Sequence, residues 1–118
     1  MKTDNVIAKK SKSFAIRIVK LYKYLVDEKK EFVLSKQLLR SGTSIGANVR
    51  EGLYGQTRKD FAAKMCIGLK EGSETEYWLE LLHETGYLSE KQFDDIYADC
   101  GELMRLLTTI VRTAKNQK

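Results

Sequence analysis

The sequence predicts an all-α protein, an antiparallel up-and-down four-helix bundle, on three observations. The 118 residues include no proline, so no ring interrupts a helix. Apolar residues recur at three- and four-residue spacing along four segments, each forming one apolar stripe. No segment alternates apolar and polar residues as a half-buried strand would. A chain of this length makes one domain, residues 1–118, and short connections between amphipathic helices place neighbours antiparallel.

The first helix is expected over about residues 6–27. Phe14, Ile18, Leu21, Tyr22 and Leu25 share one face, with Ile7 one heptad earlier. Lys9, Lys12, Lys20 and Lys23 fall on the opposite face, flanked by Lys10 and Arg17. The second helix spans about 36–52 behind Ser35, a serine suited to an N-cap. Its stripe is Leu38, Leu39, Ile45 and Val49, and Gly42 and Gly46 lie on the same face. Glycine inside a helix costs about 1 kcal/mol. Two on the buried side imply either a closely approaching neighbour or a local irregularity between Ser41 and Ser44. Gly52 and Gly55 are expected to close this helix.

The third helix spans about 58–85. Thr57 and Asp60 form a cap-like pair at its start, and Gly86 with Leu88 forms a stop signal. Phe61, Met65, Leu69, Leu79 and Leu82 build its stripe around Gly68 and Gly72. The fourth helix, about 90–115, opens on the capping box Ser89-x-x-Gln92 and carries apolar residues from Phe93 to Ala114.

Several apolar residues lie off these stripes. Ile67, Trp78 and Leu81 fall away from the Phe61 line, and Ile16 sits among the lysines. A lone bundle would leave them exposed, so they are the expected interface of a homo-oligomer. The competing expectation is a third helix buried on two sides.

Charge is unevenly distributed. Residues 1–70 hold 16 basic and 6 acidic side chains, and residues 71–118 hold 5 and 10, within a net charge of +5. A positive front half suits an anionic partner; alternatively, the two halves neutralise each other within the bundle or across subunits. The lysine stripe, with Arg40, Arg50, Arg58, Lys59 and Lys64 extending it, would bind phosphates with strong salt dependence. Tyr24 and Tyr54 could stack on bases. No helix-turn-helix, zinc finger or RNP motif points to sequence-specific reading. No secretory signal or membrane-length apolar run is visible, so the expectation is a reduced, cytoplasmic protein without a membrane partner.

Motifs for chemistry are sparse. Glu80-Leu81-Leu82-His83 has the Glu-x-x-His spacing of di-iron bundles, with Glu76 nearby, but such a site needs two motifs and further glutamates. The chain has one histidine. Cys66 and Cys100 lack zinc or redox spacing; Cys100 reads as a core residue and Cys66 as partly exposed. Gly42-Thr43-Ser44-Ile45-Gly46 lacks the lysine of a phosphate-binding loop and follows no strand. The expectation is a protein without catalytic residues, metal or cofactor.

The segment Phe32-Val33-Leu34-Ser35-Lys36-Gln37-Leu38-Leu39-Arg40-Ser41-Gly42-Thr43-Ser44-Ile45-Gly46-Ala47-Asn48-Val49-Arg50-Glu51-Gly52 resembles the signature of the four-helix bundle proteins encoded in intervening sequences of bacterial 23S ribosomal RNA genes. Asp60-Phe61, the run Lys70-Glu71-x-x-Glu74-Thr75-x-x-Trp78-Leu79, and Gly86-Tyr87-Leu88 fit the same family over roughly residues 10–110. That family is similar to the accessory variability protein of diversity-generating retroelements, a pentameric barrel of bundles that binds nucleic acid and a reverse transcriptase. The resemblance implies an oligomer such as a pentamer, with a basic surface for RNA or DNA. Arg40 and Arg50 are the signature positions it maps onto such a surface. A protein–protein adaptor, such as an accessory subunit of a reverse transcriptase, is the alternative expectation.

Overall fold

A computed structural model of the chain describes residues 2–116, with side chains from Val6 onward. These residues form four helices and no strand: α1 (Lys2–Asp27), α2 (Leu34–Leu53), α3 (Arg58–Glu84) and α4 (Glu90–Asn116). Each helix packs on the next, and α4 returns to α1 through the slightest of the four contacts. The resulting rod measures 48 × 21 × 20 Å.

Contacts along the helices fix their alignment. Ile18 meets Gly42, and Ser11 meets Gly46. Ser41 pairs with Thr75, and Arg40 with Glu74. Tyr97 bonds Glu80, whereas Cys100 bonds Gly72.

The expected stripes form the core. Phe14, Ile18, Leu38, Ile45, Leu79 and Leu107 are fully buried within it. Each such side chain gives about 1.5–3 kcal/mol on leaving water. The two α2 glycines have the close-approach role, and the helix runs unbroken past Ser41 and Ser44. A Cβ on Gly42 would lie 2.8 Å from Ile18 Cγ1, and one on Gly46 would lie 3.2 Å from the Ser11 carbonyl oxygen. In the α2/α3 interface the buried Ser41 and Thr75 hydroxyls share a 2.9 Å hydrogen bond. Thr75 also bonds the Glu71 carbonyl at 2.7 Å.

Two helix starts differ from expectation. Helix α1 begins at Lys2, ahead of the apolar stripe, because its opening polar residues are compatible with a helix that the stripe alone does not reveal. Helix α2 begins at Leu34, and Ser35 is a buried first-turn residue, not the N-cap. Val33 holds the cap position without a side-chain bond. The Glu31 carboxylate does the capping instead, accepting the N–H groups of Val33, Leu34 and Ser35 at 3.3, 3.0 and 2.7 Å. Burial alone would raise the Glu31 pKa, but these donors outweigh it and hold it below the ordinary value. At the other end, α2 continues through Gly52 to Leu53, with Tyr54 as its C-cap.

The remaining caps match the sequence signals. Thr57 accepts the Asp60 N–H at 3.0 Å. Gly86 adopts φ 88° after α3, a conformation that favours glycine, and buried Leu88 follows it. Ser89 and Gln92 cap each other's backbone N–H at 2.8 and 3.1 Å.

The off-stripe residues divide. Ile16 and Ile67 are exposed, at 49% and 41%. Trp78 and Leu81 are only half-buried, and Trp78 packs against the core with its ring 5.1 Å from Tyr77. The expectation that a lone bundle leaves all four open is thus corrected for Trp78 and Leu81. Both follow Glu74, by four and seven residues, and so share the α3 flank from which Glu74 reaches Arg40 of α2.

Candidate nucleic-acid interface

Ion pairs between helices sort the basic side chains into two sets. Lys10 on α1 reaches Glu102 on α4 at 3.1 Å. Arg17 holds both Asp95, at 2.9 Å, and Asp99. Across the α2/α3 seam, Arg40 contacts Glu71 at 3.5 Å and also Glu74, while Lys64 meets Glu51 at 2.8 Å. Three of these four cations are neutralised by the acidic second half of the chain. The internal-neutralisation alternative therefore accounts for part of the charge asymmetry.

The second set faces water. Lys9, Lys12, Lys20, Lys23, Arg50 and Lys59 are exposed, and among the described residues none makes an ion pair. Arg58 opens α3 at an exposed position beside Lys59.

Two of these cations meet at a groove. The amino-terminal half of α1 and the carboxy-terminal half of α2 enclose a trough of about 700 Å³. Ala8, Ala15, Gly46 and Ala47 are small residues in its walls, with Lys12, Arg50 and Tyr54 around them. The shape follows from the sequence. Glycine and alanine on facing helices let the backbones approach and leave a shallow channel. The described lining residues include no carboxylate. Tyr54, at 84% exposure, stands where α2 ends, its N–H donating to the Arg50 carbonyl at 3.2 Å. The Thr43 hydroxyl donates to the Leu39 carbonyl at 2.7 Å and that of Ser44 to Arg40 at 2.6 Å, so both serve the helix itself.

The Tyr24 side chain lies elsewhere. It lines a smaller trough of about 310 Å³ between α1 and α4, together with Arg17, Lys20 and Asp95. The two tyrosines do not share a site. Sequence reasoning names Lys12, Arg50 and Tyr54 among many candidates but misses the small residues that bring them together. The available signal is the heptad spacing of Ala8 and Ala15 opposite Gly46-Ala47 on the next helix.

The chemistry-bearing candidates form a separate seam between α3 and α4. The Tyr97 hydroxyl donates to Glu80 at 2.7 Å. That bond, with burial, pushes the Tyr97 pKa up to about 12. His83 stacks on Phe93 at 4.4 Å. Burial, with the Glu80 charge adding to it, raises the Glu76 pKa. Cys100 is buried, its thiol directed at the Gly72 carbonyl at 3.6 Å, and burial pushes its pKa up to about 12. Cys66 is partly exposed. Among the described residues, no three His, Cys, Asp or Glu side chains gather to hold a metal ion.

These features define an all-α, four-helix protein with a cationic groove between its first two helices. The chain belongs to the 23S rRNA-intervening sequence protein family, whose profile matches residues 3–109. It is similar to the crystal structure of a protein of unknown function from the S23 ribosomal protein family of Bacteroides thetaiotaomicron. The two are 56% identical with a TM-score of 0.92, over 93% of this chain and 98% of that one. No curated protein matches. Among the described residues, no helix is long and apolar enough to cross a membrane.

Proposed function

We propose that this chain is a non-enzymatic, antiparallel up-and-down four-helix bundle that assembles into a homo-oligomer, such as a pentamer, and binds RNA or DNA through a basic face. The observation that carries this reading is the division of the cations. Lys10, Arg17, Arg40 and Lys64 are spent on holding helices together. Lys9, Lys12, Lys20, Lys23, Arg50 and Lys59 remain exposed with no ion pair among the described residues, available to exchange counterions for phosphates. The exposed Ile16 and Ile67 support self-association. They also favour a second reading, an adaptor that docks another protein, for example a reverse transcriptase, through those residues.

The test is native mass by multi-angle light scattering, with and without a short structured RNA at low salt. A discrete oligomer that gains the RNA's mass, and loses it as salt rises, is the expected result. Changing Lys9, Lys12, Lys20 and Lys23 to glutamine should weaken binding while leaving helicity intact. An oligomer that ignores RNA would overturn nucleic-acid binding and favour the adaptor.

A further inference from the structure

Resting on that reading, we propose that the α1/α2 groove receives an unpaired stretch of a nucleic-acid strand, with Lys12 and Arg50 on its phosphates and the Tyr54 ring stacked on a base. Charge complementarity, shape and the position of one aromatic ring each contribute.

Among the described residues, the groove is positive without compensation. Lys12 and Arg50 lack ion pairs among the described residues, and no described carboxylate lines the trough. The α1/α4 trough is the internal contrast, since its Arg17 is already held by Asp95 and Asp99. The first trough is thus lined by cations with no carboxylate among its described residues, whereas the second sets Asp95 beside Arg17 and Lys20.

Shape favours a single strand. The volume of about 700 Å³ falls in the range of small-ligand pockets. A duplex keeps its base faces stacked inside and presents only groove edges and backbone. An unpaired segment can lay its backbone between two cations and turn one base outward.

Tyr54 supplies the surface for that base. A ring this exposed gains nothing from the core, yet its backbone is tied to the last turn of α2, one turn from Arg50. Stacking requires only a base face, so the site would be tolerant of sequence.

The experiment is fluorescence anisotropy at low salt with three labelled probes. Two are single strands of about ten nucleotides, oligouridylate and oligothymidylate. The third is a hairpin duplex closed by a non-nucleotide linker, so that every base is paired, with the same number of phosphates. Both single strands should bind more tightly than the hairpin, and a preference between them would report on the 2′-hydroxyl. Tyr54→Ala should weaken single-strand binding about tenfold. It should leave hairpin binding and the circular dichroism spectrum unchanged, and Tyr54→Phe should retain native affinity. Lys12→Gln and Arg50→Gln should each reduce the slope of log affinity against log salt by about one.

Equal binding of single strand and hairpin, with no effect of Tyr54→Ala, would overturn the groove assignment while nucleic-acid binding stands. No binding of any probe would overturn both. Tighter capture of a short polyglutamate peptide than of either single strand would also overturn the assignment, in favour of an acidic protein partner.

Discussion

The Glu31 carboxylate accepts the Ser35 backbone N–H at 2.7 Å, so a residue of the preceding loop caps α2 where serine would ordinarily do so. The same carboxylate satisfies three donors at once and ties the α1–α2 connection to the helix it starts. Glu31→Ala should therefore destabilise the fold by about 1 kcal/mol, as loss of a helix cap does. Because the folded pKa is lowered, this contribution is present above the ordinary carboxylate pKa of 4.5 and is lost as pH falls through the lower folded value. Urea denaturation should show a clear gap between variant and native at neutral pH, and a smaller one at about pH 3. A gap that is constant with pH would contradict the charged cap.

Glu76 should behave in the opposite sense. Burial, then the Glu80 charge, raises its pKa, so the ionised form is disfavoured in the folded state. That penalty is absent below 4.5, appears as pH rises, and is complete above the raised folded value. Glu76→Gln should raise the melting temperature at neutral pH and leave it unchanged in acid. Calorimetry across that range checks the sign, and a variant that melts earlier at neutral pH would refute it.

Gly42 and Ile18 should show strong coupling. Alanine normally stabilises a helix interior over glycine by about 1 kcal/mol. Here the added methyl would meet branched, fully buried Ile18 at 2.8 Å. Overpacking of this kind costs about 1–3 kcal/mol, so Gly42→Ala should be net destabilising. Combined with Ile18→Ala, it should cost less than the two changes added together. Strict additivity in a double-mutant cycle would exclude the contact.

Trp78 tests packing against assembly. Its ring packs on the core, while its buried indole N–H finds no acceptor among the described residues. Trp78→Phe should keep most of the packing and remove the unsatisfied donor, leaving stability within about 1 kcal/mol of native. Trp78→Ala should cost about 3 kcal/mol. Denaturant unfolding separates the two. If both variants retained native stability but lost the oligomer, Trp78 would be an interface residue instead.

Much of the fold is legible in the sequence because helical periodicity and caps are local. The stripe through Phe14, Ile18 and Leu25 predicts a buried face, and those residues are buried. Ser89-x-x-Gln92 predicts a reciprocal cap, and both bonds form. The start of α2 escapes because Glu31 caps from outside the usual position, where no short pattern distinguishes it from a surface acid. Trp78 escapes because a single helical wheel cannot tell which flank a neighbour will cover. The groove is legible only in part. Lys12 and Arg50 stand out as cations, yet what separates them from Arg17 and Arg40 is that the latter find carboxylates on α4 and α3. Those pairings join residues far apart in sequence, and no spacing rule predicts them.

The Ser41–Thr75 pair acts as a key cut for one lock. Sliding α2 along α3 by a turn would break the bond between the two hydroxyls and leave each only the carbonyl one turn back on its own helix, Leu38 for Ser41 and Glu71 for Thr75, at about 0.5–1.5 kcal/mol for the hydrogen bond lost. Leucines and isoleucines tolerate such a slide far better, since apolar contacts are not directional. A few polar atoms thus confer uniqueness that the greasy interior alone would lack. The axial position of α2, and with it the point where Arg50 and Tyr54 emerge beside Lys12, is set by a hydrogen bond on the far side of the helix.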